Sequence, residues 1–269
     1  MNLWNEYLKS KQTYAQLAAH YCVSKRTIQR QIDKVKILDK HPKFPRNVIV
    51  LMDTTYWGRG FGLMLFKDWI TRENLLWYFV KTETNSLYIE GYNELVKQGF
   101  SITAVVCDGR KGLMQSFGNT PVQMCQFHQV QIIRRYLTNN PKTAPAIELK
   151  DFVRLLTKTD KESFVGGLEL WHTKWTTFLN ERTLNPQTLK SRYTHRKLRS
   201  AFFSLLRNMP YLFVWYDKKE LGIPNTTNAI DGHFADLKNK LRNHNGLTKA
   251  RKMKFINGFL KASTSQSMV

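Results

Sequence analysis

The sequence predicts an α/β protein: a mixed sheet interrupted by a helical insertion, preceded by a small all-helical module. Three observations carry this. Two apolar runs, Val48–Met52 and Ile102–Cys107, lack the alternation of a half-solvated strand and read as central strands covered on both faces. Residues 148–216 are helical in pattern, basic and rich in Trp and Phe. Residues 1–36 show helical spacing throughout and are followed, at 37–46, by the linker-like stretch "ILDKHPKFPR" with two prolines and no periodicity.

In the first region Leu3, Trp4, Tyr7 and Leu8 follow helical spacing, and Thr13 is placed to cap a helix through His20 whose inner side carries Leu17 and Ala18. A short turn at Cys22, an inward Val23 and a second cap at Ser24 lead to a third helix, with Ile28 and Ile32 as its inner stripe. Lys25, Arg26, Gln29 and Arg30 share its outer face. This is the layout of a helix-turn-helix unit, whose second helix enters the major groove. Arg and Gln can make bidentate contacts to base edges. Many such units have glycine in the turn, where this chain has Cys22. A three-helix cap without a DNA role is the alternative.

From Asn47 the elements run β-β-β-α-β-α. "NVIVLMD", "FGLMLFKD" and "ENLLWYFVKTE" are strands, and "NSLYIEGYNELVKQG" is a helix stopped at Gly99. "ITAVVCDG" is the fourth strand, "RKGLMQSFG" starts the next helix and "PVQMC" is a short fifth strand. A three-strand meander followed by strand–helix units suggests a ribonuclease H-like mixed sheet.

The chain carries 42 Lys plus Arg against 20 Asp plus Glu, a formal net charge of +22. A protein this basic calls for a polyanionic partner, with nucleic acid expected ahead of an anionic membrane surface. No apolar run approaches the roughly 18–20 residues of a spanning helix, and no signal peptide is visible, so a cytoplasmic, nucleoid-associated protein is expected. Three widely spaced cysteines, Cys22, Cys107 and Cys125, fit a reducing compartment better than a disulfide framework.

Against that basic background, two apolar strands end in lone acids, Asp53 and Asp108. Carboxyl ends of central strands are where open α/β sheets place their sites. Paired carboxylates repel unless a cation neutralises them. Two bound Mg²⁺ (or Mn²⁺) ions can clamp the attacking and leaving oxygens of a phosphodiester displacement. A third acid is found in "PNTTNAIDGHFADLKNKLR", where Asn225, Thr226 and Thr227 supply capping side chains and Asp231 falls in the first turn of a long helix. Helical spacing groups Asp231 with Phe234, Lys238 and Leu241 and turns the rival Asp236 away. Taken singly, each acid also reads as a strand-end turn or helix cap.

Together "MDTTYWG", "CDGRKGL", "CQFHQV" and "PNTTNAIDGHFADLKNKLR" resemble the catalytic core of bacterial insertion-sequence transposases related to the Mutator-like group, over roughly residues 47–245. The resemblance implies a ribonuclease H-like fold and a DDE acid triad that serves as catalytic and metal-binding group. It also implies a helical insertion between the second and third acids, at about 145–216. Carried onto this chain the triad is Asp53, Asp108 and Asp231, with aspartate where the family usually has glutamate. A Cys-x-x-His motif after the second acid is matched by Cys125 and His128, a supporting motif that also reads as a core cysteine beside a polar histidine. In the insertion Trp171, Trp175, Phe178, Arg192, Tyr193, His195, Arg196 and Arg199 interleave aromatics and cations, as a helical core with a solvated basic face or as a DNA-holding surface. Residues 246–269 read as a basic C-terminal helix and tail. The implied activity is metal-dependent cleavage and strand transfer at the ends of an insertion sequence. Its partners would be double-stranded DNA (terminal repeats and target) and further copies of the chain in a homo-oligomer. A DNA-binding regulator with an inactive core, or a nuclease that cuts without joining, are the rivals.

Overall fold

A computed structural model describes residues 3–9, 12–37, 44–244 and 246–264; most of the expected 37–46 linker lies outside them. In chain order the elements are α1 (Leu3–Lys9), α2 (Tyr14–His20), α3 (Lys25–Lys34), β1 (Asn47–Tyr56), β2 (Gly62–Asp68), β3 (Asn74–Val80), α4 (Asn85–Lys97), β4 (Ser101–Cys107) and β5 (Val122–Met124). They continue with α5 (Gln126–Leu137), α6 (Ala144–Val153), α7 (Lys161–Asn180), β6 (Arg182–Leu184), β7 (Ser191–Tyr193), α8 (Arg196–Leu212), α9 (Val214–Asp217), α10 (Asn228–Arg242) and α11 (Lys249–Thr264). The architecture is mixed α/β, with a five-stranded mixed sheet in the order β3-β2-β1-β4-β5 and a separate β6–β7 hairpin. It is compatible with a ribonuclease H-like fold. By contact the chain divides into two units, Met1–Ser101 with Asn228–Val269, and Ile102–Thr227.

In the first unit β1, β2 and β3 form an antiparallel meander, with Met52 opposite Phe66 and Asp53 opposite Leu65. Val48–Met52 are all buried, as a strand covered on both faces requires. One face takes α4: the Phe66 ring lies under Gly91, where an added Cβ would stand 2.1 Å from the ring. Beside it the Thr54 and Tyr88 hydroxyls meet at 2.9 Å, and Tyr88 donates to Glu83 at 2.8 Å. The other face takes α11. Trp77 Nε1 donates to Asn257 (2.9 Å), and Asn74 Nδ2 donates to the Leu260 carbonyl (2.9 Å) and to Ser263 (3.1 Å). Phe255, Ile256, Phe259 and Leu260 are buried, so this C-terminal helix is a core element of the unit.

The helices at the start of the chain pack against the same element. Tyr7 is buried against Phe255 and His244, and Gly258 lets the Trp4 ring approach α11. Asp33 accepts from Arg251 at 2.6 and 3.1 Å. Thr13 caps α2 in a capping box and Ser24 caps α3, as expected. Cys22 takes a φ of +51°, the left-handed conformation that explains why glycine is common at such turns. Val23 is not inward: it is 37% exposed, because the turn ahead of Ser24 leaves it on the rim.

In the second unit β4 and β5 pair in parallel, Val105 with Val122 and Cys107 with Met124, and the short fifth strand is present. The segment "RKGLMQSFG" does not begin a helix. It is a chain of turns with i+3 bonds (Leu113 to Arg110, Ser116 to Leu113, Thr120 to Phe117), because Gly112 and Gly118 take φ of +82° and +58°. α5 packs on α8, and α6 on α7. The insertion also contains a hairpin that periodicity does not reveal: β6 and β7 are three residues each, closed by Asn185, whose side chain accepts from the backbone N–H of Gln187 and Thr188.

Two consequences can be measured. Gly91→Ala gains about 1 kcal/mol of helix propensity but drives a methyl into the fully buried Phe66 ring. Overpacking costs about 1–3 kcal/mol, so the urea midpoint should fall, and fall further for Gly91→Leu. The second concerns His233 in α10, whose pKa is lowered to about 4 by burial and then by the Lys67 charge. Its folded value lies below the unfolded value of about 6.5, so the unfolded state binds the extra proton. Stability from this group is present above about pH 6.5 and lost as pH falls through about 4. Comparison of wild type with His233→Phe should show a smaller acid-induced loss in the variant across that window.

Candidate functional site

Asp53 lies inside β1, which runs on to Tyr56, and not at its end. Strand alternation turns Thr54 toward α4, where it meets Tyr88, so Asp53 points to the opposite face. That face is the one covered by α11, as Trp77 shows through its shared register with Leu65, the partner of Asp53. α10 packs on β1 and on α11. Asp53 is half-buried and accepts the Thr54 amide at 2.8 Å.

Asp231 sits in the first turn of α10, half-buried, on the side that carries the buried Phe234 and Leu241. Asp236 is exposed and pairs with Lys240 at 3.5 Å, which fits its expected outward direction. Asp53 and Asp231 therefore belong to one unit, on a strand and a helix packed together. Asp108 belongs to the other unit. It follows β4 directly, is half-buried, and accepts the Arg110 amide at 3.3 Å. Gly109 follows, and an added Cβ there would stand 2.1 Å from the tip of the Met124 side chain.

The donor chemistry of the three acids, hard carboxylate oxygens, suits Mg²⁺ or Mn²⁺. Among the described residues no three His, Cys, Asp or Glu side chains are gathered closely enough to hold an ion as they stand.

The second unit does bring two of the sequence motifs together. Cys125 is fully buried at the start of α5, and the Thr227 amide and hydroxyl both donate to its Sγ at 3.3 Å. Next to it the Gln126 amide donates to the Asn225 carbonyl (2.9 Å), while Asn225 Nδ2 donates to Gln126 Oε1 (3.0 Å) and to the Thr157 carbonyl (3.3 Å). The Asn225 side chain is thus engaged with α5 and the loop after α6 and does not cap α10. Burial pushes the Cys125 thiol up, but the hydrogen bond and charge of His128, with the two bonds from Thr227, outweigh it and hold the thiol below its ordinary range. The pair acts as a polarised internal clasp on the "NTT" segment that precedes α10. One step further in, Gln123 and Gln126 both donate to the Leu212 carbonyl at 2.9 Å, and neither glutamine carries a local sequence signal for it. Full burial of an amide next to a buried strand is a non-local property, so only the fold reveals it.

Of the residues anticipated on the insertion, Trp171 is buried and donates to the Pro145 carbonyl (3.2 Å), and Trp175 donates to Glu148 (2.7 Å). Phe178 stacks on His195 at 3.7 Å, and His195 meets Glu181 at 2.8 Å. All four are engaged in contacts within the second unit. Arg192 and Arg196 are exposed, and the Arg199 guanidinium lies 3.6 Å from the Tyr193 ring centre. On α3, Lys25, Arg26 and Arg30 are exposed and Gln29 is half-buried. No described helix is long and apolar enough to cross a membrane.

His128→Ala removes the largest influence that lowers the Cys125 thiol. Its titration midpoint, followed by thiolate ultraviolet absorbance in a Cys22→Ser background, should move up. Thr227→Val should move it in the same direction by less. An unchanged midpoint in both would show that the clasp does not polarise the sulfur.

No protein-family model matches the chain, and no curated protein matches it. Among solved structures it is similar to a chain of the cryo-EM structure of a simian T-cell lymphotropic virus intasome in complex with PP2A regulatory subunit B56 gamma. That likeness has 11% identity, covers 76% of this chain and 68% of that one, and has a TM-score of 0.25.

Proposed function

We propose that this chain is a DNA-processing enzyme of the DDE transposase type, which cuts and joins strands at the ends of an insertion sequence. One observation supports the reading above others. In a chain of net charge +22, a half-buried acid interrupts the buried face of β1, on the side against which the acid-bearing helix α10 packs. A half-buried carboxylate on a sheet face has a desolvation cost that an exposed turn would avoid, and a bound cation offsets it.

In this reading Asp53, Asp108 and Asp231 hold two divalent ions, which would supply Lewis-acid stabilisation of the phosphodiester under attack. The protein's own part is positional. β1 and α10 fix two of the carboxylates on rigid elements, the turn after β4 presents the third, and the Cys125–His128 clasp sets the segment leading into α10. The basic surface holds the DNA through its phosphates, and the exposed side of α3 reads the terminal repeats as the second helix of a helix-turn-helix unit.

Asp53→Asn and Asp108→Asn should each abolish Mg²⁺-dependent cleavage of the element's ends while leaving DNA affinity nearly unchanged, because amides bind metal poorly and affinity comes from basic contacts. Gel assays of nicking and of strand transfer, beside binding titrations, check this; full cleavage by either variant removes that residue from the site. Cleavage without any joined product would favour the nuclease alternative.

End recognition has its own signature. Gln29→Ala and Arg30→Ala should each lower the preference for the cognate end by about 1–3 kcal/mol, whereas Lys25→Ala should weaken all sequences alike and flatten the salt dependence. Titration of cognate and scrambled duplexes at two salt concentrations separates the two behaviours.

A further inference from the structure

The second unit holds a cavity of about 590 Å³ between the turns after Asp108, α5 and α8. That size is within the roughly 300–1,000 Å³ of ordinary small-ligand pockets. Its rim carries three cations, one from each wall: Lys111, Arg135 and Arg207. Among the described residues that line it, none is acidic. Ser204 and Asn208 are buried residues on the α8 side. Behind them lies buried Gln129, which donates to Ser204 Oγ (3.1 Å) and accepts from Asn208 Nδ2 (2.7 Å). These bonds fix the two side chains at the edge of the cavity. Tyr136, Met114 and Ile132 supply apolar surface. A ring compound with hydrogen-bonding edges and an attached phosphate matches this mix of amide, apolar wall and cationic rim.

The cavity does not stand alone. A second groove of about 340 Å³ shares Tyr136 and Arg207 with it and continues along α8 past Ser200 to Arg196 and Arg199. Its wall includes Tyr193, whose ring is flanked by the guanidinium groups of Arg199 at 3.6 Å and Arg182 at 4.5 Å. Phe203 lies on the same groove and is 43% exposed. Aromatic faces alternating with cations along two adjoining subsites suit successive bases and phosphates of one strand, since base stacking tolerates any sequence and cations follow the backbone. A paired duplex keeps its bases stacked on each other and offers no free base face to such a pocket.

The geometry points to the α5–α8 groove as a binding track for an unpaired DNA strand, with one nucleotide seated in the larger cavity and its neighbour against the exposed Phe203. The choice of DNA over another nucleotide polymer rests on the DNA-processing reading above; the pocket chemistry does not require the chain to cut anything. Metal is therefore left out of the test, so that a failure of cleavage and a failure of this track are separate results.

The full-length protein is titrated in EDTA with a fluorescent oligothymidylate of about twelve nucleotides and with a blunt duplex of the same length. Tyr136→Ala and Arg207→Ala should each weaken binding of the single strand by about five-fold or more, with duplex affinity changed by less than about two-fold. Tyr136→Phe keeps the ring and should bind as wild type, which separates lost stacking from lost folding. Arg154→Ala, which removes a cation outside the groove, should change the single-strand affinity by less than about two-fold. Thymidine monophosphate should compete only weakly. Equal losses on strand and duplex, no loss in either groove variant, or displacement by the mononucleotide as effective as by the oligonucleotide would each overturn the proposal.

Discussion

Charge balance is the constraint on which the rest of this structure depends. With 42 basic and 20 acidic side chains, carboxylates are scarce. Many of them join segments that are distant in sequence. Arg46 lies between Asp68 (3.1 Å) and Glu73 (2.6 Å), both almost fully buried, at the end of the meander. Burial works against the Arg46 charge, but the hydrogen bonds to the two carboxylates outweigh it and raise its pKa. Asp33 ties α3 to Arg251, and Glu148 ties α6 to Lys174 and Trp175 on α7. Removing one partner of a buried pair leaves an uncompensated charge, which costs more than the pair contributes.

The clasp around Cys125 shows how a polarised side chain can act through position. A buried thiol with two donors from Thr227 fixes the residue immediately before α10, and Asn225 is bound to the neighbouring Gln126. Rigid elements hold functional groups more accurately than loops do, provided that their own supports are fixed.

Much of this was legible in the sequence wherever the signal is local. The unbroken run Val48–Met52, the caps Thr13 and Ser24, the short fifth strand and the opposite directions of Asp231 and Asp236 all follow from periodicity or capping chemistry within a few residues. What was not legible depends on partners far away. The run after Asp108 reads as helical until the left-handed glycines 112 and 118 are counted as breaks. The hairpin at 182–193 consists of two three-residue strands, too short for alternation to register. Asn225 reads as a cap because asparagine favours caps, yet its side chain binds residues 99 and 68 positions away in sequence. The packing of α11 on the meander, through Trp77–Asn257 and Asn74–Leu260, has no local signature at all.

The three thiols also form a natural set of probes for local opening. Cys22 is exposed, whereas Cys107 and Cys125 are buried and both lie in the second unit. An alkylating reagent meets Cys22 at once and reaches the other two only when the structure around them opens, so their labelling rates measure opening free energies. Because Cys125 is covered by Thr227 and Cys107 lies in β4, the two rates distinguish release of the segment before α10 from opening of the strand. If Cys125 reacts well before Cys107, the segment detaches while the strand stays paired.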